Sequence, residues 1–229
     1  MRSTRFFFSP SILGGLMNTL ENWHSETLGK RVVDMLEKHG FTARYYPDGE
    51  SAAAYILERI PETASVGIGG SKTEKTLKIA ERLMSKGCAV HDHNAPGLSV
   101  EDRNAIRYRQ VTSDFFICSS NAVTLTGELV NCDAFGNRVA AMIFGPKTVF
   151  IIAGTNKIVR NVEEAEKRIQ MQAAPMNNKK YETPNPCVQL GECVNCNNST
   201  RICNVTAIIK RRPPLTDIHA LIVGETLGF

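Results

Sequence analysis

Four of the chain's seven cysteines fall in one Asn-rich stretch, "CVQLGECVNCNNSTRIC", from Cys187 to Cys203. The spacing is C-x5-C-x2-C-x6-C. The Cys193–Cys196 pair is a knuckle that turns two thiolates toward one ion, and Cys187 and Cys203 would complete a tetrahedral set. The Gly, Asn and Ser residues between them are turn formers, as a loop wrapped around a metal needs. All-thiolate ligation suits structural zinc and an iron–sulfur cluster alike. The competing readings are two disulfides, four unrelated thiols, or a redox CxxC, although no thioredoxin-like pattern surrounds the pair. Of the other three, Cys88 and Cys118 sit in strand-like sequence and are expected in the core. Cys132, beside Asp133, is expected at a pocket edge.

A second candidate is "GIGGSKT", Gly67 to Thr73, between a predicted strand and a predicted helix. Gly67, Gly69 and Gly70 let the backbone approach a ligand and take positive φ. Ser71 and Thr73 add hydroxyls, Lys72 or Lys75 a charge, and a helix N-terminus offers free N–H groups, so a phosphate or carboxylate fits. The plainer reading is a tight turn with Ser71 as N-cap. Neither a phosphate-binding P-loop spacing nor GxGxxG is present, so a dinucleotide fold is not indicated.

The third is "SSNAVTLTGELVNCDAFGNRVAA", which gathers Asn121, Thr124, Thr126, Gly127, Glu128, Asn131, Asp133, Asn137 and Arg138. Glu128 or Asp133 can serve as general acid or base, and Arg138 can pair bidentately with a carboxylate. Taken singly, each residue also reads as hairpin structure: an Asx-rich turn, Asn137 as a cap, threonines in strands. "GTNKIV" has the same form and brings Lys157. His91 and His93 flank Asp92 at a strand end, as a ligand pair or as polar rim.

Helices are expected at "NTLENWHSETLGKRVVDMLEKHG", with Leu28, Val32, Met35 and Leu36 as its apolar stripe and Gly40 as its stop, and at "ESAAAYILERI". "KTEKTLKIAERLMSKG" reads as one amphipathic helix ending at Gly87. "SVEDRNAIRYRQV" opens with Ser99 and Asp102 as a capping-box variant. A further helix, "NVEEAEKRIQMQA", precedes the cysteines. Between them fall strands at "FTARYY", "ASVGIGG", "CAVHD", "DFFICSS" and "TVFIIAG", and late strands at "TAIIKRR" and "ALIVGE". This alternation predicts an α/β fold: a mostly parallel sheet with helices on both faces and a Cys-rich insertion, 175–204, near the C-terminus. In such a sheet the loops after Ile68, Cys118 and Ala153 leave one edge, so the glycine loop and the polar segment should form one pocket.

Length (229 residues) and 42% apolar content allow a single domain with a sizeable core. The net charge of +4 comes from scattered Lys and Arg, which suits a small anion and gives no basic stripe for nucleic acid. No apolar run is long enough to cross a membrane. Residues 1–16 read as a flexible leader broken by Pro10 and two glycines, with Met17 as an alternative start, and 17–229 as the domain. A cytoplasmic location is expected, where clustered thiols favour a metal over disulfides. The sequence leaves a homo-oligomer open.

The run "SNAVTLTGELVNCDAFGNRVAAMIFGPKTVFIIAGTNKIV", with "GIGGSKT" upstream, closely resembles the lactate-utilisation (LUD) domain family over nearly the whole chain from Met17. The resemblance implies a fold similar to the sugar-phosphate isomerase, CoA-transferase and formyltetrahydrofolate cyclo-ligase group. It implies pocket roles for Gly67, Gly69, Gly70, Ser71, Thr73, Asn121, Thr126, Gly127, Glu128, Asp133, Asn137, Arg138 and Lys157. It also implies a subunit of a system oxidising lactate or another 2-hydroxy acid beside iron–sulfur or redox partner subunits. The tandem ferredoxin-type cysteine runs of the family's iron–sulfur partner are absent here. An independent isomerase, transferase or ligase acting on a phosphosugar, acyl-CoA or folate-like anion is the alternative, and a metal-stapled scaffold a third.

Overall fold

The computed structural model describes residues 10–229, and side chains from Thr19 onward. Helix α1 (Pro10–Lys38) buries Val32 and Leu36 of its expected stripe completely. It stops at Gly40, whose φ of 84° lets Phe41 N–H turn back to the Leu36 carbonyl (3.1 Å). Residues 10–16, expected in a loose leader, belong to this helix; residues 1–9 lie outside the described residues.

The main sheet has six strands: β1 (Thr42–Tyr46), β2 (Ser65–Ile68), β3 (Ala89–Asp92), β4 (Phe115–Cys118), β7 (Thr148–Gly154) and β10 (Asp217–Val223). Their order is β1-β10-β7-β4-β2-β3, and every pairing is parallel. Parallel strands are covered on both faces, which is why β4, β7 and β10 are apolar runs. Alternate residues divide between two cores. Ile117, Phe150, Ile152 and Leu221 pack under α2 (Gly49–Arg59) and α4 (Ile79–Lys86). Phe116, Val149, Ile151 and Ile218 pack with α1 and α6 (Asn137–Ile143).

The polar central segment lies between β4 and β7 and leaves the large sheet on the way. It supplies β5 (Ala122–Thr124) and β6 (Leu129–Asp133) of a second, four-stranded sheet, which β8 (Ile158–Val159) and β9 (Val205–Ile209) complete in the order β8-β5-β6-β9. The β5–β6 and β6–β9 pairs are antiparallel, so "TAIIKRR" joins the small sheet and only "ALIVGE" the large one.

The helix expected over "KTEKTLKIAERLMSKG" is broken into α3 (Lys72–Thr76) and α4 by Lys78, at φ 50°. The buried Glu74 carboxylate accepts the Ala80 N–H at 3.0 Å and so satisfies a donor that the break exposes. Helix α5 (Val100–Val111) carries the expected Ser99–Asp102 capping box. The stretch expected to be one insertion loop contains α8 (Ala174–Lys180) and a short α9 (Cys187–Leu190); α8 continues α7 (Val162–Arg168) through a wide turn at Ile169–Ala173. Among the described residues no helix is long and apolar enough to cross a membrane.

Candidate active site

Because all six large-sheet strands run parallel, the loops after β2, β3, β4 and β7 emerge on one edge. A cleft of about 370 Å3 lies there. Gly69, Gly70, Ser71, Lys72 and Thr73 line it from β2, His93 and Asn94 from β3, and Ser119, Ser120 and Asn121 from β4. Cys132 and Asp133 line it from the end of β6, Ala134, Phe135, Asn137 and Arg138 from the segment after β6, and Lys157 from the turn after β7. The glycine loop, Arg138 and Lys157, predicted to share one pocket, all line this cleft.

Within the glycine loop, Gly70 needs its φ of 74°, and Ser71 caps α3 by accepting the Glu74 N–H at 3.0 Å. Helix α3 has five residues, too short to sum a useful dipole, so the helix-terminus part of the anion expectation fails. Gly67 is absent from the cleft. It is the point where α5 meets β2: a Cβ there would lie 3.0 Å from the Gln110 Cα.

Arg138 lines the cleft, but its terminal nitrogens are engaged. Nη1 donates to the Ser119 carbonyl (2.8 Å) and Asn131 Oδ1 (2.6 Å), and Nη2 to Asn121 Oδ1 (3.0 Å) and the Cys132 carbonyl (2.7 Å). The bidentate substrate clamp expected of it is replaced by a brace between the β4 and β6 loops. Asp133 is likewise spent: its carboxylate accepts the N–H groups of Ala134, Arg138 and Val139 at 3.0–3.1 Å and caps α6. It replaces Asn137, expected as the cap, whose amide instead donates to Gln110 Oε1 at 3.2 Å.

Thr126, Gly127 and Glu128 do not line the cleft. They form the β5–β6 turn against α1, where His39 Nδ1 lies 3.0 Å from the Gly127 carbonyl. Glu128 accepts from the Thr124 and Thr126 hydroxyls. Burial opposes its ionisation, but these two hydroxyls more than offset that and lower its pKa. Outside the cleft and engaged in closing the turn, this carboxylate is not placed to act as the expected general acid or base on a ligand there.

The cleft's strongest perturbed group is Lys157. It is 3% exposed, and its Nζ donates to Ser119 Oγ (2.6 Å) and Thr73 Oγ1 (3.3 Å). Burial, then the charges of Arg168 and Arg138, bring its pKa down to about 7. Arg103 and Arg107 of α5 also line the cleft and were not singled out in the sequence. Their i, i+4 spacing, one turn before the buried Gln110, was the available signal. Arg103 donates to the His93 carbonyl at 2.8 Å, while Arg107 lies over the Phe135 ring and keeps a buried Nε without an acceptor among the described residues. His93, lowered in pKa by burial and then by Arg107, is held by Gln110 at 2.9 Å; His91 lies outside the cleft. Lys180 and Tyr181 of the cysteine-bearing segment close one side.

The family model of the LUD domain matches residues 29–223, which includes every strand of both sheets. The chain belongs to the LUD domain family. Membership supports a lactate-utilisation-related role. A crystal structure of a DUF162 family protein from Deinococcus radiodurans is similar in fold, with a TM-score of 0.51 and 12% identity, over 87% of this chain and 98% of that one. No curated protein matches the sequence.

In this LUD domain the four loop cysteines line one small cavity with Asn178, Asn185 and Arg201. No disulfide joins any of the cysteines. Among the described residues, no three His, Cys, Asp or Glu side chains are arranged to hold a metal ion, so the geometry does not support the expected centre as it stands. Protein groups close the loop instead. Asn185 bonds Asn178 Oδ1 (2.6 Å) and the Thr200 carbonyl (3.0 Å), and Arg201 bonds the carbonyls of Cys196 (2.5 Å) and Cys203 (2.9 Å). The neighbouring Cys203 thiol lowers the Cys132 pKa, and Cys132 itself lines the cleft, so the loop borders the cleft wall.

Proposed function

We propose that the cleft binds a small carboxylate of the 2-hydroxy or 2-oxo acid class, and that this binding is the chain's part in lactate utilisation. The observation that carries the reading is the charge balance of the lining. Lys72, Arg103, Arg107, Arg138 and Lys180 are cationic and Lys157 adds a buried amine, whereas the lining's one carboxylate side chain, Asp133, is consumed as a helix cap. The unsatisfied Nε of Arg107 is a donor that an acid's carboxylate can complete. The volume exceeds that of a three-carbon acid, which leaves room for a co-substrate or for a larger acid. The test is thermal protection by lactate, pyruvate and phosphate, in the natural chain and in Arg107→Ala. Protection by the two organic acids that is lost in the variant supports the reading. Protection by phosphate alone favours the phosphosugar alternative.

The four-cysteine loop belongs to the same proposal as a site for zinc or an iron–sulfur cluster. Its support is that all four thiols border one cavity; the ligands would have to shift to close on an ion. Elemental analysis after anaerobic purification tests it: one zinc, or several irons with acid-labile sulfide, is expected. Four freely titrating thiols without metal would remove it.

A further inference from the structure

We propose that Lys157 is a covalent catalyst: its amine condenses with the carbonyl carbon of a 2-oxo acid held in the cleft and forms an imine. The inference rests on the small-carboxylate reading and adds to it a reacting atom and a substrate class.

The geometry prepares a free amine. Lys157 stands on the single helical turn after β7, on the floor of the cleft, almost fully removed from solvent. Its bonding partners are two hydroxyls, Ser119 Oγ and Thr73 Oγ1; no carboxylate pairs with it among the described residues. A neutral amine has two protons and one lone pair. Two acceptors take the two protons and leave the lone pair for an electrophile. An ammonium would carry a third proton with no partner, in a place already crowded by Arg138 and Arg168. Burial and those two cations hold the group near neutrality at physiological pH, as a nucleophilic lysine requires.

The surroundings suit a 2-oxo acid in particular. Arg103 and Arg107 line the same cleft and supply cations for its carboxylate. The acid's carbonyl lies next to that carboxylate, so anchoring one presents the other. In the step, the Lys157 nitrogen forms a bond to the carbonyl carbon, and the carbonyl oxygen becomes a hydroxyl. Loss of that hydroxyl as water then gives the C=N bond. The nitrogen gives up two protons overall, and both leave in the water. The hydroxyls of Ser119 and Thr73, already bonded to Nζ, are placed to pass them. No oxidant or reductant is consumed. The resulting imine withdraws electrons from the adjacent carbon, which is the activation used in carbon–carbon bond making and breaking.

The experiment treats the full chain with pyruvate and sodium cyanoborohydride, then locates reduced adducts by peptide mass spectrometry. Thermal protection by pyruvate and by lactate is measured in parallel. One adduct per chain, on the Lys157 peptide, is expected, with labelling increasing as pH rises through 7. Lys157→Met, which removes the nucleophile without adding a charge at this buried position, should lose at least ten-fold of the labelling and keep a cooperative thermal melt. Lactate, which has no carbonyl, should protect and never label. Pyruvate protection without an adduct overturns the imine and leaves the carboxylate pocket standing. Labelling spread over surface lysines, undiminished in Lys157→Met, overturns it as well. Neither protection nor labelling overturns both readings.

Discussion

Arg138 Nη1 donates to Asn131 Oδ1 at 2.6 Å, from the first turn of α6 back to β6. With its other bonds, to Ser119, Asn121 and Cys132, this makes the guanidinium part of the wall. Replacement by alanine should therefore lower stability by about 3 kcal/mol, since several charge-assisted bonds are lost and carbonyls are left unpaired. Urea unfolding of Arg138→Ala checks this. A variant as stable as the natural chain would return Arg138 to the role of a free substrate clamp.

Glu128 supplies the opposite case. Its carboxylate closes the β5–β6 turn and lies outside the cleft. Glu128→Gln should leave carboxylate protection unchanged, within about two-fold in apparent affinity, and cost about 1 kcal/mol through the turn. Loss of ligand protection at unchanged stability would contradict the geometry.

Two buried groups make stability depend on pH in opposite directions. Burial raises the Glu74 carboxyl from 4.5 to about 7 and leaves Oε2 without a partner. The folded chain then holds the proton more tightly than the unfolded chain between these values, so stability falls as pH rises through that window. Lys157 is depressed from 10.5 to about 7. Here the unfolded chain holds the proton between 7 and 10.5, so stability rises with pH across that range. Glu74→Gln should gain stability relative to the natural chain above pH 7 and little near pH 4. Lys157→Met should gain below pH 7 and lose that advantage by pH 10. Each difference is on the order of a few kcal/mol at its extreme, and thermal melts across pH measure both.

Gly70 has a φ of 74°, and a Cβ there would run into the Asn94 side chain. Gly70→Val should destabilise by about 2 kcal/mol or more and abolish anion protection, because the glycine loop must shift away from Asn94 and the cleft. Calorimetric melts with and without pyruvate would detect both effects. Full protection in the variant would remove the glycine loop from the ligand's surroundings.

The large sheet was legible in the sequence because its central strands β2, β4, β7 and β10 are short apolar runs, separated by stretches with helical apolar stripes. The common edge followed as well, since parallel strands leave their C-terminal loops on one side; Gly70, Arg138 and Lys157 were thereby placed at one cleft. The small sheet was not legible. Its strands are two to five residues long, and their pairing joins Val205–Ile209 to Leu129–Asp133 across a separation that no local pattern encodes.

The tertiary structure alone decided which polar groups remain free. Asp133 and Arg138 carry the right chemistry for a site, yet backbone N–H groups consume the first, and two carbonyls and two asparagine side chains the second. Lys157 read as a strand-end lysine, and only burial against Arg138 and Arg168 takes it toward neutrality. The cause is physical. Residue type sets what a side chain can donate or accept, whereas desolvation and competition for partners, which depend on neighbours distant in sequence, set what is left for a ligand.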